Sequence, residues 1–145
     1  MSKDLKSRLR NDLVTARKAR DRWRTVVLTT LLSEVRNREI AVGEELDDEG
    51  VVGVVARAIK QRRAAAEQML EGGRPELADK ESAEVALLQD YLPAALSEVD
   101  VRDMVREVIA TGANQMGPVM GKIMPQIRGR FDGKEAGRIV REELG

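Results

Sequence analysis

The chain has no cysteine and no histidine among its 145 residues. The first absence excludes thiol nucleophiles, disulfides and thiolate–zinc sites, and the second removes imidazole acid–base chemistry. Aromatic residues are reduced to Trp23, Tyr91 and Phe131. Any core is therefore aliphatic, and sheet, which favours aromatic and branched cross-strand pairs, is disfavoured. Long apolar runs are missing as well. The longest, Val26 to Leu32, is interrupted by Thr29 and Thr30 and falls far short of the roughly 20 residues that span a bilayer. No membrane partner is expected. The N-terminus is charged from Lys3 onward and carries no apolar stretch of a signal peptide, so a cytoplasmic location is expected.

Net charge is also absent, with 25 cations against 25 acids. The signs are nonetheless segregated along the chain. Residues 1–24 hold nine Lys or Arg against three acids, residues 34–49 hold seven acids against two cations, and residues 122–141 hold six cations against two acids. Segregation creates local fields without net charge, which suits an anionic partner for the basic segments or serves only to solvate helix faces.

What is present is helical periodicity. Leu5, Leu9, Leu13 and Ala16 predict a first helix over residues 2–20, and Val27, Leu28, Leu31, Leu32 and Val35 a second over 22–42, closed by Gly43. The acidic turn EELDDEG opens a third over 47–71, with Val51, Val55, Ala58, Arg62, Ala65 and Met69 on one stripe. Gly72 and Gly73 end it, and Pro75 suits the first turn of a fourth over 75–91. Ser97 with Asp100 predicts a capped fifth helix over 98–111, ended by Gly112, followed by helices over 117–127 and 132–144. The expected fold is all-α, with a four-helix N-terminal subdomain at 1–92 and a three-helix C-terminal subdomain at 97–145. The joint between them is placed at residues 93–96.

Several chemistries can be tested against these elements. GPVMGKI lacks the spacing and the Ser or Thr of a phosphate-binding P-loop and follows no strand. The acids from Glu44 to Glu49 lack the pattern of a calcium loop and read as a helix start. No serine sits in a nucleophile elbow. No catalytic residue, cofactor or metal is therefore expected. Met116, Met120 and Met124 share one helical face, as core filler or as the wall of a plastic groove. In IKQRR, Lys60, Arg62 and Arg63 present cations over one turn, either for phosphate oxygens or for salt bridges with acids such as Glu67.

The most punctuated stretch is MGPVMGKIMPQIRGRFDGK, residues 116–134. Its glycines Gly117, Gly121, Gly129 and Gly133 are expected to shape a loop for close approach. Its cations Lys122, Arg128, Arg130 and Lys134 are expected to meet an anionic ligand, with Lys60, Arg62 and Arg63 extending the surface.

IKQRR, then GGRPELADKE, then YLP at residues 91–93, then the 116–134 stretch resemble, in that order and spacing, the YqeY family. The helical pattern also resembles the C-terminal region of GatB, a subunit of the Asp/Glu-tRNA amidotransferase. That resemblance implies two helical subdomains and a tail that grasps tRNA while catalysis resides elsewhere. It implies a non-catalytic tRNA-binding accessory protein. A protein-interaction adaptor with a protein partner in tRNA metabolism, or an auxiliary amidotransferase subunit active only in a complex, stand beside it.

Overall fold

The computed structural model describes residues 4–145, so Ser2 and the expected helix start at residue 2 lie outside the described residues. The described residues are all helical, without strands: α1 Asp4–Lys18, α2 Arg22–Val42, α3 Asp48–Glu71, α4 Pro75–Gln89, α5 Glu98–Ala110, α6 Met116–Ile127 and α7 Gly133–Leu144. Helix ends follow local chemistry. Asp21 caps α2 by accepting from the Arg24 N–H, and Asp47 caps α3 by accepting from that of Gly50. Ser97 and Asp100 form a reciprocal capping box on α5. Pro75 occupies the first turn of α4, where its missing N–H costs nothing.

The chain divides into two compact units, Met1–Tyr91 and Leu92–Gly145. In the first, α3 packs along α4 and α1 along α2, with α3 also meeting α1 and α2. Its core is aliphatic, built from Leu9 of α1, Leu28 and Leu31 of α2, Val51 and Val55 of α3 and Leu88 of α4, all fully buried. Burying each such side chain stabilises the unit by about 1.5–3 kcal/mol. Two polar ties cross this core. The Lys6 ammonium, itself buried, donates to Glu39 Oε2 at 2.6 Å, and the Leu46 N–H donates to the same oxygen at 2.8 Å. The Tyr91 hydroxyl donates to Asp12 Oδ2 at 2.5 Å, with the Arg8 guanidinium 4.6 Å above its ring.

In the second unit α5, α6 and α7 pack pairwise. Val101, Val105, Val119, Ile123, Ile127, Ala136, Ile139 and Val140 are fully buried between them. Met116, Met120 and Met124 lie partly buried beside this core. A Cβ on Gly133 would sit 3.7 Å from the Met124 Cε, and one on Gly137 3.5 Å from the Met116 Cε. Met116 and Met124 of α6 are therefore packed onto small residues of α7, as core filler.

Candidate nucleic-acid interface

The cations of the second unit sort into two groups. On one face of α5 and α7, Arg102 pairs with Glu143 and Glu142, each at 2.8 Å. Arg138 pairs with Glu98 and Glu142, each at 2.7 Å, and with Glu135 at 3.0 Å. These carboxylates hold the Arg102 and Arg138 guanidinium groups above their already high range, first through hydrogen bonds and then through charge. In return Arg138 and Arg102 hold Glu98 and Glu142 below the ordinary carboxylate range, and Arg106, at 3.0 Å, and then Arg102 do the same for Glu143. That network is internally neutralised and offers nothing to a ligand.

The second group surrounds α6. Lys122, Arg128 and Lys134 are exposed and, among the described residues, have no carboxylate partner. Arg128 caps the C-terminus of α6, and its N–H donates to the Met124 carbonyl. Lys134 lies in the first turn of α7, while Lys122 sits six residues before Arg128, roughly 9 Å along the helix axis. Arg130 is different. Its Nε donates to the Ala94 carbonyl at 2.9 Å, and its own carbonyl accepts from the Leu96 N–H at 2.9 Å. It fastens the chain before α5 to the α6–α7 connection.

The glycines divide as well. Gly129 has φ +74°, a left-handed conformation that a side chain resists, and it turns the chain between α6 and α7. Gly117 and Gly121 lie within α6 and are not loop residues. Both are exposed, and a Cβ on either would meet open space. Packing therefore gives no reason for glycine there. Pro125, inside the same helix, has no N–H, so the Gly121 carbonyl cannot accept the usual bond from the residue four positions on. The outer face of α6 is thus a stretch of bare backbone with an acceptor left over and Lys122 beside it. Arg141 was not singled out in the sequence. Its Nη1 lies 3.7 Å from the position of a Gly137 Cβ, on the side of α7 that meets Met116 of α6. It belongs with this group, and the cation surplus over 122–141 was the signal for it.

The IKQRR residues lie in the other unit. Lys60 and Arg63 are exposed on α3. Arg62 points inward, with Nε 3.4 Å from Glu84 of α4, Nη2 4.0 Å from Glu34 of α2 and Nη1 donating to the Ala58 carbonyl. Burial, then the neighbouring Glu84, push the Glu81 carboxyl above its ordinary value, so these acids need Arg62. Arg62 shares the stripe of Val51, Val55 and Ala58, and that register marks it as an inward residue. Its side chain is committed to the fold.

Among the described residues, no group of three or more acids could hold a metal ion, and no helix is long and apolar enough to cross a membrane. Curated relatives carry the name "Altered inheritance of mitochondria protein 41, mitochondrial". The protein of Lachancea thermotolerans is 31% identical over 104 residues, covering 68% of this chain and 56% of the relative. That of Saccharomyces cerevisiae is 28% identical over 132 residues, covering 88% of this chain and 70% of the relative. That of Pyrenophora tritici-repentis is 25% identical over 145 residues, covering 95% and 80%. The chain thus spans little more than half of the first of these proteins. The cytoplasmic location expected from composition is corrected by these names, each of which designates a mitochondrial protein. A missing signal-peptide pattern in the first residues cannot distinguish these compartments. The family model described as "Yqey-like protein" matches residues 6–144, and the chain belongs to the YqeY family.

Proposed function

We propose that this protein is a non-catalytic tRNA-binding accessory protein whose C-terminal unit contacts the sugar–phosphate backbone through the outer face of α6. The observation that carries the reading is the bare backbone at Gly117 and Gly121, which has no packing reason to be bare. A nucleic-acid strand approaches most closely where side chains are missing, and a ribose 2′-hydroxyl can donate to the carbonyl that Pro125 leaves unmatched. Lys122, Arg128, Lys134 and Arg141 supply the phosphate contacts, and Arg130 positions the connection. Lys60 and Arg63 are available on the first unit as further contacts. The tRNA ligand itself comes from the resemblance of the helical pattern to the C-terminal region of GatB. The division into parts at 1–92 and 97–145 belongs to this proposal, with residues 94–96 allied to the second part through their bonds to Arg130.

The test is a titration of the full chain with bulk tRNA across a salt series. Counterion release predicts a log–log slope near −3 for about four phosphate contacts. Changing Arg128 and Lys134 together to Ala removes about two contacts and flattens the slope by about 1.5. An unchanged slope would remove α6 and its flanks from the interface. No binding at low salt would favour the protein-adaptor reading or a role inside an amidotransferase complex.

A further inference from the structure

The first unit carries a second basic surface, on the α1–α2 hairpin, that the α6 reading does not use. Residues 4–42 hold ten cations against five acids, and four of those acids serve contacts within the unit. Asp12 accepts from Tyr91, Asp21 caps α2, Glu34 lies by Arg62, and Glu39 accepts from Lys6 and Leu46. Arg8 and Arg24 lie beside Asp12 and Asp21, and the exposed surplus is carried by cations such as Arg10, Arg17, Lys18 and Arg36.

A groove of about 380 Å³ runs between the two helices, floored by Leu13 and Leu32 and lined by Arg10, Arg36, Thr29 and Ser33 together with the mutually paired Lys6 and Glu39. Arg10 and Arg36 are exposed and form no ion pair among the described residues, although the Arg10 charge adds to Lys6 and Leu46 in holding the Glu39 carboxyl down. Thr29 and Ser33 place hydroxyl donors between them. Where the hairpin turns, Arg17, Lys18, Arg20 and Arg22 are exposed around Trp23, whose side chain is 44% exposed. Arg20 holds φ +56°, where glycine or asparagine would be more comfortable.

We infer that the α1–α2 face binds the backbone of an RNA strand, with an unpaired base stacked on Trp23. Charge complementarity selects a polyanion. The preponderance of arginine over lysine, with hydroxyls between the guanidinium groups, selects phosphates presented in a row. The exposed Trp23 follows Arg20 and Arg22 at the hairpin turn, at the far end of α2 from Arg36. An aromatic ring next to such cations is a stacking platform for a strand that runs on from the groove. An anionic membrane surface fits less well. The apolar side chains exposed on α2, Trp23 and Val26 at one end and Ile40 and Val42 at the other, form no continuous stripe, because Thr30, Ser33 and Asn37 lie between them. The inference does not require the α6 contact to hold, because its residues lie in the other unit.

Trp23 is the sole tryptophan of the chain and so reports on this face alone. The experiment titrates the full chain with a short single-stranded RNA of mixed sequence and, separately, with phosphatidylglycerol vesicles, while tryptophan fluorescence is followed. The expected result is saturable quenching by RNA that weakens with salt. Arg10→Ala with Arg36→Ala should lower the apparent affinity by about tenfold or more at low salt and flatten the salt slope by about 1.5. Circular dichroism melts of that variant should match the parent, since both side chains are exposed. Arg128→Ala with Lys134→Ala should leave the Trp23 titration unchanged, which separates this inference from the α6 reading. Absent quenching at low salt, or equal quenching in the Arg10/Arg36 variant, would overturn the inference. A blue shift with vesicles and no response to RNA would overturn it in favour of a membrane surface.

Discussion

Arg130 reaches back to the start of its own unit, its Nε donating to the Ala94 carbonyl at 2.9 Å while its carbonyl accepts from Leu96. The neighbouring Arg128 has no such tie. Two arginines separated by one glycine therefore do different jobs. Arg130→Ala removes the side-chain bond to the Ala94 carbonyl and a longer one to the Gln126 carbonyl, and should cost about 1 kcal/mol of stability. Arg128→Ala should change stability by less than about 0.5 kcal/mol. Urea unfolding of the two variants checks this. Equal losses would mean that the Ala94 bond contributes nothing.

The Lys6–Glu39 pair makes the first unit sensitive to acid. The Lys6 ammonium, then the Leu46 N–H, hold the Glu39 carboxyl below its ordinary range. A depressed folded value contributes stability above the unfolded value of about 4.3, and that stability is lost as pH falls through the folded value. Glu39→Gln should therefore flatten the acid limb of a stability–pH curve. Glu39→Ala leaves the buried Lys6 ammonium with only the more distant Glu45 carboxylate at 3.8 Å and should cost about 2 kcal/mol at neutral pH, reduced from a fully buried pair by partial exposure.

Tyr91 sets the opposite limb. Burial first, and then its bond to Asp12, push its hydroxyl above the ordinary tyrosine value. A raised folded value contributes stability fully present below the unfolded value of about 10 and lost as pH rises toward the folded one. Tyr91→Phe should lower stability by about 1 kcal/mol at neutral pH and lessen the decline above about pH 10. Denaturant midpoints at pH 8 and pH 10.5 would show it. A variant with the parent's alkaline decline would detach that limb from Tyr91.

The seven helices are legible in the sequence because each is written in local terms. The Ser97–Asp100 box, Pro75 at the start of α4 and the left-handed glycines Gly43 and Gly112 mark ends within a turn. The core stripes of α2 and α5 repeat at helical spacing. Partners across helices were not legible. The sequence offers Glu67, four residues on, as a partner for Arg63, whereas Arg62 finds Glu34 and Glu84 on two other helices. Arg130 and Arg128 look alike in one dimension and differ only through a backbone carbonyl 36 residues away. For the same reason Gly117 and Gly121 read as loop formers, although α6 continues through them with their faces open.

The bare face of α6 gives the central claim its sharpest test. Gly117 and Gly121 are exposed helical positions with room for a methyl group. Replacing both with Ala should raise stability by about 1 kcal/mol, because glycine is a poor helix former and alanine restricts the unfolded chain. If the face exists for a ligand, the same change should weaken tRNA binding by about fivefold or more, equivalent to about 1 kcal/mol. The decisive measurement is tRNA affinity of parent and Gly117→Ala/Gly121→Ala at one fixed low salt, beside their urea midpoints. The account predicts a more stable protein that binds tRNA less tightly. A more stable protein that binds as the parent does, or a parent that does not bind tRNA, would contradict it.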